Sequence, residues 1–210
     1  MAFDFKKEYK EFYLPKSTPG IVTVPPMNYI AVRGQGDPNA ENGAYKQSIN
    51  LLYALAYTIK MSKRSDHRIE GFFDFVVPPL EGFWWQDGGI GIDYARKADL
   101  QWISAIRLPD FVTLEDFAWA VTEAARKKQS DFSKVAFWPC DEGLCVQCLH
   151  IGSYDAEPET ISRMHDALFE QGYVLDITKK RLHHEIYLSD PRKSAPEKQK
   201  TVIRHPIRKA

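Results

Sequence analysis

The residues best suited to chemistry lie in one short segment near the C-terminus, residues 181–193, with the sequence RLHHEIYLSDPRK. The segment is typical of a strand that ends at a proline, and alternation places its side chains on two faces. One face is mostly apolar and holds Leu182, His184, Ile186 and Leu188. The other face holds His183, Glu185, Tyr187 and Ser189. If this second face lines a pocket, Glu185 is the best candidate for catalysis; if it faces open water, Glu185 is an ordinary surface acid.

Composition limits the classes of function. The chain has 210 residues, of which 44% are hydrophobic and 13% aromatic, and its 28 basic residues balance its 28 acidic ones. A chain without net charge has no overall field to attract nucleic acid or an anionic membrane. No apolar run approaches the roughly 18–20 residues that span a bilayer, and the N-terminus lacks a signal-peptide pattern. We therefore expect a cytoplasmic monomer or homodimer without nucleic-acid or membrane partners.

Three cysteines, Cys140, Cys145 and Cys148, lie close together in the sequence. Their spacing matches three of the four ligands of a plant-type iron–sulfur site, but the chain has no fourth cysteine. In a strand, Cys145 and Cys148 would also point to opposite faces. We therefore expect small buried side chains, with neither a metal nor a disulfide bond.

Periodic patterns divide the chain into helices and strands. Apolar residues three and four apart predict helices at 42–64, 113–128 and 157–171. Runs rich in β-branched and aromatic residues predict strands at 27–32, 71–77, 100–108, 135–138, 144–151, 181–190 and 201–205. Residues 1–26 contain several prolines and predict an irregular lead-in.

The order strand, helix, strand, strand occurs twice, which predicts a fold built from a tandem repeat. We expect one α+β domain over residues 1–210, made of two pseudo-repeats at about 20–130 and 131–210. The two repeats would form one curved antiparallel sheet with helices on one face and a ligand pocket on the other. Because the helix-covered face would be core, Glu185 would lie on the opposite face, where many aromatic residues favour a concave pocket.

Several aromatic residues are candidates for the pocket wall. Trp84, Trp85 and Trp138 suit either a wall or the core, since both use a large apolar area. Further candidates for contact with a ligand are Tyr29, Phe75, Phe137, Tyr187 and His183. No spacing of His, Asp or Glu predicts a metal site, and no motif indicates a cofactor.

Three segments resemble the GyrI-like small-molecule-binding superfamily, whose fold is a tandem pair of strand–helix–strand–strand units. Residues 149–155, LHIGSYD, are similar to the family's His-x-Gly-x-Tyr segment, in which we expect Tyr154 to tie the following helix to the sheet. Residues 183–192, HHEIYLSDPR, resemble its last-repeat strand, and residues 196–204 the usual continuation. The resemblance begins near residue 20 and is closest to stand-alone members, because the 26-residue lead-in has no room for a helix-turn-helix segment.

The resemblance implies a function for Glu185, which occupies the position of a glutamate that the family places in an aromatic pocket. In the regulators of the family that acid receives cationic aromatic drugs. Some stand-alone members are cyclopropanoid cyclopropyl hydrolases, which hydrolyse cyclopropane-bearing DNA alkylators. The resemblance therefore implies that Glu185 activates water for such a hydrolysis. The alternative is a module that binds or sequesters aromatic, often cationic, small molecules without catalysis.

Overall fold

The computed structural model describes residues 2–88, 91–93 and 95–210. The helices are α1 (Phe5–Glu8), α2 (Lys10–Tyr13), α3 (Ala44–Lys60), α4 (Leu114–Lys128) and α5 (Glu157–Glu170). The strands are β1 (Gly20–Val24), β2 (Met27–Gln35), β3 (Leu80–Trp85), β4 (Gln101–Arg107), β5 (Val135–Cys140), β6 (Gly143–Ile151), β7 (Tyr173–Leu175), β8 (His183–Tyr187) and β9 (Lys200–Lys209). None of the helices in the described ranges is long and apolar enough to cross a membrane.

The strands form one antiparallel sheet in the order β1-β6-β9-β8-β3-β4-β2-β5, and β7 pairs with the end of β9. The predicted α+β class and the single curved sheet are therefore confirmed. Within the sheet, β2-β4-β3 and β6-β9-β8 have the same internal order, and the two groups join where β3 pairs with β8. This order is compatible with two pseudo-repeats, although the repeat boundaries themselves remain a prediction.

The face that carries Glu185 is covered by helix α3. Residues directly opposite each other in antiparallel strands point to the same face. Glu185 of β8 is opposite Gly82 of β3, which is opposite Ser104 of β4. The hydroxyl of Ser104 lies 2.6 Å from that of Ser48 in α3. The expectation that Glu185 points away from the helices is therefore wrong.

Helix α5 covers the other half of the same face. Glu185 is also opposite Ile203 of β9, which packs with Met164 and Leu168 of α5 in a small apolar cluster. Between these two helices, Glu185 occupies the middle of the helix-covered face, at the junction of the two strand groups.

The opposite face of the sheet is covered by the N-terminal segment, which the sequence predicted to be irregular. That segment instead forms α1, α2 and β1. Arg204 of β9 donates to the carbonyl oxygen of Phe12 at 2.9 Å, and the guanidinium of Arg107 lies 4.9 Å from the ring centre of Phe5. The two short helices thus cover this second face, which explains why both faces of the sheet are buried.

Local sequence patterns predicted one helix correctly and one strand wrongly. The helix predicted at 113–128 is present as α4, and it begins at a capping box in which the side chains of Thr113 and Asp116 each accept from the backbone N–H of the other. The strand predicted at 71–77 is absent: Phe75 forms only an isolated bridge with Phe3, and β3 begins at Leu80 after two prolines. Proline removes a backbone donor, so it delays regular pairing until the chain has passed Pro79.

Two of the three cysteines follow the predicted alternation. Cys145 is opposite Pro206 and Cys148 is opposite Ile203, so these buried thiols point to opposite faces of the sheet. Burial raises the pKa of Cys145 to about 12. Such a thiol stays protonated at neutral pH and behaves as a small apolar side chain.

A buried ionic cluster lies under the N-terminal segment. His184 is fully buried between two carboxylates, with its ring nitrogens 2.9 Å from Glu142 Oε1 and 2.9 Å from Glu81 Oε2. Arg204 donates to Glu142 Oε2 at 2.7 Å. Burial alone would raise the pKa of Glu142, but His184 and Arg204 lower it to about 2. The same carboxylates raise the pKa of His184 above its ordinary value despite burial.

We predict that Glu142→Gln lowers the free energy of unfolding at neutral pH by about 3–5 kcal/mol, because it leaves buried positive charge uncompensated. Since the pKa of Glu142 is depressed on folding, its contribution is present above the unfolded value of 4.5 and is lost as the pH falls toward about 2. Urea unfolding as a function of pH measures both effects. Glu41→Gln, which changes an exposed acid, is the control and should behave as the wild type. If the free energy of unfolding fell equally with decreasing pH in wild type and in Glu142→Gln, this account would be contradicted.

Candidate functional site

Glu185 is a buried carboxylate held by two neighbouring side chains of its own strand. It is 6% exposed and lies in the middle of β8. His183 Nε2 lies 2.8 Å from Glu185 Oε1, and the hydroxyl of Tyr187 donates to Oε2 at 2.7 Å. The three side chains share one face because residues two apart in a strand point the same way. The local pattern His-x-Glu-x-Tyr therefore builds the centre of the site by itself.

Glycine at position 82 makes room for this centre. Gly82 is directly opposite Glu185. A Cβ atom at this position would lie 2.5 Å from Trp84 Nε1 and 2.6 Å from the hydroxyl oxygen of Tyr187. Any larger residue would therefore displace the indole of Trp84 and the hydroxyl of Tyr187, which cover the carboxylate.

Aromatic side chains cover Glu185. Trp84 Nε1 donates to the Tyr187 hydroxyl at 2.9 Å, which fixes the phenol that in turn donates to Glu185. The ring of Tyr154 packs edge-on against that of Tyr187, at 5.8 Å between centres. Tyr45, in the first turn of α3, lies 5.1 Å from the ring centre of Trp84. The cover is therefore a connected set of rings contributed by α3, β3, β8 and the turn before α5.

Burial and the carboxylate keep the phenols of this cover protonated. Burial raises the pKa of Tyr187 well above its ordinary value, and the negative charge of Glu185 raises it further. Burial and the same charge raise the pKa of Tyr154 to about 12. Both hydroxyls are consequently available as hydrogen-bond donors at neutral pH.

The carboxylate keeps unused accepting capacity. An ionised carboxylate offers about four lone-pair sites, and the contacts with His183 and Tyr187 use two of them. In the described part of the chain no lysine or arginine forms an ion pair with Glu185. A carboxylate in this setting can accept a proton from water or pair with a cationic ligand.

The structure brings together some of the predicted site residues. Of the candidates, His183 and Tyr187 contact Glu185, and Trp84 donates to the hydroxyl of Tyr187. Trp85 points to the other face of the sheet, where it stacks under Arg33. Tyr29 and Trp138 are opposite each other on that face and pack against Phe83.

The last two wall candidates also lie elsewhere. Phe75 is buried among Phe5, Phe72 and Phe111. Phe137 lies on the edge strand β5 and packs against Phe117 of α4. Aromatic content alone could not separate these core residues from the site, because only the pairing of strands decides which face each ring occupies.

Sequence reasoning also missed residues that complete the site. Tyr45 lies on the buried face of α3, within the helix predicted at 42–64, and nothing in the helical spacing distinguishes it from a core residue. Tyr154 has the expected position ahead of α5, but its ring reaches the site. His205 Nε2 lies 2.6 Å from His183 Nδ1, so His205 contacts the ring nitrogen of His183 that does not face Glu185. A detectable signal existed for Gly82, a glycine inside a strand, which often marks a close approach of other groups.

The histidine of the His-x-Gly-x-Tyr segment has a structural role. His150 Nδ1 lies 2.9 Å from Thr160 Oγ1 in α5, and its Nε2 lies 3.0 Å from the carbonyl oxygen of Ser153. These contacts tie the end of β6 to the start of α5 through a turn that contains Gly152, whose φ is +151°. His150 therefore fixes the turn that presents Tyr154.

Two surface clefts lie away from Glu185. One, of about 390 Å³, is lined by residues 11–22 and Gln147, and the other, of about 200 Å³, lies between β6 and α5. Neither contains Glu185 or the rings that cover it. Glu185 itself is 6% exposed, with Tyr187 bonded to its Oε2 and Tyr154 packed against the ring of Tyr187, so the carboxylate is in a closed arrangement.

The fold places a buried carboxylate beneath a set of aromatic side chains on one face of the sheet. The chain belongs to the family of GyrI-like small-molecule-binding domains, whose family model matches residues 17–208. The resemblance of the three sequence segments to this family is thereby confirmed.

Solved structures give the same relationship. An uncharacterised conserved protein from Listeria innocua is 47% identical with a TM-score of 0.92, covering 98% of this chain and 100% of its own. Two crystal structures of a hydrolase from Listeria innocua are each 46% identical, with TM-scores of 0.89 and 0.91. They cover 98% and 99% of this chain and 100% of their own. A search of curated proteins found no match.

We predict that Gly82→Ala disrupts the site while Gly20→Ala does not. The new methyl group at position 82 would force apart Trp84 and Tyr187, at a cost of about 1–3 kcal/mol in unfolding free energy. Gly20 is also in a strand, but a Cβ there meets no atom within 4 Å. Thermal unfolding and the tryptophan fluorescence spectrum measure the difference, and identical results for the two variants would contradict the geometry described here.

Proposed function

We propose that the protein is a hydrolase that opens the cyclopropane ring of DNA-alkylating small molecules, with Glu185 as the general base. The single observation that carries the proposal is the buried, ionisable Glu185, with one donor on each oxygen and aromatic rings above it. The hydrolase relatives from Listeria innocua, at 46% identity over nearly the whole chain, support a hydrolytic activity. The cyclopropane substrate is the proposal's own choice and rests on the resemblance to stand-alone family members.

The chemistry is a balanced addition of water. Glu185 accepts a proton from water while the water oxygen bonds to a ring carbon. One carbon–carbon bond of the three-membered ring breaks, and its electron pair moves into the conjugated carbonyl group of the substrate. A tyrosine hydroxyl donates to the carbonyl oxygen on which charge develops, and Tyr187 provides this donor once the substrate has turned its hydroxyl away from Glu185. The proton that Glu185 accepted from water then transfers to the same oxygen, which completes the addition of water and restores the carboxylate.

The surrounding rings provide the rest of the catalysis. General base catalysis contributes about 100- to 10,000-fold, so positioning of water and substrate must supply much of the remaining rate. Tyr45, Trp84 and Tyr154 present flat apolar surfaces to a planar substrate. Entry of that substrate requires displacement of Tyr154 and Tyr187, which cover the carboxylate.

The alternative function is binding or sequestration of aromatic, often cationic, small molecules without catalysis. The observation that favours it is that a carboxylate among aromatic rings has no lysine or arginine counter-ion within the described ranges. A ligand cation would then provide the missing charge and gain cation–π contact with the rings. The two functions share Glu185 and differ only in whether the carboxylate accepts a proton from water.

The variant Glu185→Gln separates the two functions, because it keeps the size of the side chain and removes its charge and basicity. For a hydrolase, we predict that turnover of a cyclopropane alkylator falls about 100- to 10,000-fold while binding of a neutral aromatic ligand is retained. For a binding module, only the affinity for cationic aromatic ligands falls. Mass spectrometry of the alkylator for a water adduct measures the first effect, and fluorescence titration measures the second.

The matched control is Glu170→Gln, which removes an exposed carboxylate at the end of α5. It should leave both measurements unchanged. A water adduct formed equally fast by wild type and Glu185→Gln, with both proteins folded, would remove Glu185 from the mechanism. A wild-type protein that binds the alkylator without forming an adduct would support the binding module instead.

A further inference from the structure

A chain of three histidines runs from Glu185 to the surface of α5. His183 Nε2 lies 2.8 Å from Glu185 Oε1, and His183 Nδ1 lies 2.6 Å from His205 Nε2. His205 Nδ1 in turn lies 2.8 Å from Nε2 of His165. His183 and His205 are 4% and 3% exposed, whereas His165 is only half-buried. The three histidines therefore connect Glu185 to a partly exposed position on α5.

Counting hydrogens fixes the direction of this chain. Three neutral imidazoles carry three N–H groups, and the chain contains three bridges that each need one hydrogen. An ionised Glu185 can only accept, so His183 must donate through Nε2. His205 must then donate through Nε2 to His183, and His165 through Nε2 to His205. Each ring thus donates toward Glu185, and Nδ1 of His165 is the one ring nitrogen outside the bridges.

The same count limits the protons that the chain can hold. One extra proton is accommodated, because every bridge still contains a single hydrogen. A second would place two hydrogens in one bridge and break it. Burial, together with the neighbouring His183 and His165, lowers the pKa of His205 well below its ordinary value, so charge is least stable in the middle of the chain. An extra proton therefore resides at an end, on His165 or on Glu185.

We propose that His205 and His165 are positioning residues for Glu185. They hold His183 with its Nε2 hydrogen directed at the carboxylate, which stabilises the ionised form, and they link its protonation to His165 at the surface. A proton that enters at Nδ1 of His165 shifts one hydrogen across each bridge, and one proton arrives at Oε1. The inference rests on the proposed function of Glu185, since it explains how the base stays ionised beneath a cover that excludes water.

Other titratable groups also face the chain. The charge of Asp166 in α5 opposes the effect of burial and of His183, which lower the pKa of His165. The remaining groups on this face are Tyr45 of α3, Cys148 and His150 of β6, Tyr154, Glu157 at the start of α5, and Tyr187. Within residues 2–88, 91–93 and 95–210, the hydrogen bonds of Tyr187, Cys148 and His150 go to groups other than His183, His205 and His165.

The first test needs no substrate and uses the wild-type protein. Nitrogen-15 NMR distinguishes the two tautomers of neutral histidine and the imidazolium form. At neutral pH we expect His183, His205 and His165 all to be neutral and protonated at Nε2. A proton on Nδ1 of His183, or an imidazolium at His205, would overturn the proposal even if the hydrolase activity proves correct.

The second test follows the Glu185 carboxyl group by carbon-13 NMR as the pH is lowered. In His205→Leu we expect the midpoint to rise by about half to one pH unit, the equivalent of one lost hydrogen bond to the ionised form. His205→Gln should restore the wild-type midpoint, because its amide can donate to His183 and accept from His165. His67→Gln is the control, since His67 stacks on Trp119 outside the chain.

In the same variants, the pH at which kcat/KM for the alkylator falls on the acid side should shift together with the titration midpoint of the Glu185 carboxyl group. An unchanged midpoint in folded His205→Leu would refute the positioning role. A shifted midpoint in a protein without hydrolase activity would instead support the chain and reject the proposed reaction. If His205→Leu fails to fold, the wild-type tautomers and the His205→Gln midpoint decide the question.

Discussion

The pairing of β3 with β8 is the constraint on which the rest of the structure depends. It joins the two groups of three strands, and it places Gly82 opposite Glu185 at the middle of the sheet. A shift of this register by one residue would turn every side chain of β8 to the other face. Glu185 would then lie under the N-terminal segment beside Glu81 and Glu142, where two carboxylates already share His184. The register therefore fixes both the fold and the charge balance of its two faces.

Adjacent histidines illustrate how one strand serves two different purposes. His184 lies between two carboxylates, one of which also pairs with Arg204, and this opposite charge raises its pKa despite burial. His183, on the other face, contacts one carboxylate and another imidazole. In the ionic cluster both oxygens of Glu81 and of Glu142 have a partner, so the buried charges on this face compensate one another independently of Glu185.

The sequence was sufficient where a single element carried the information. Alternation within β8 grouped Glu185 with His183 and Tyr187, and the spacing of apolar residues predicted the helix that α4 forms. It failed where the information lay in the pairing of distant segments. The apolar face of β8 was taken as the one under the helices, because nothing local shows that residues 3–13 return to cover it. His205 and His165 reach the site through β9 and α5, and no motif links them to Glu185 along the chain.

The closed cover determines which ligands the site can hold. A molecule that displaces Tyr187 removes one of the two hydrogen-bond partners of Glu185. It also separates the rings that pack around Tyr187. Only a fraction of the molecules is therefore open and able to bind. The apparent affinity for every ligand is reduced in proportion to that fraction. Only a molecule that restores both interactions recovers the lost free energy: a flat apolar surface for the rings, and a cation or a bound water for the carboxylate. Under the proposed function, the cost of opening therefore favours flat compounds that bring a cation or a bound water to Glu185, without any specific contact to the rest of the ligand.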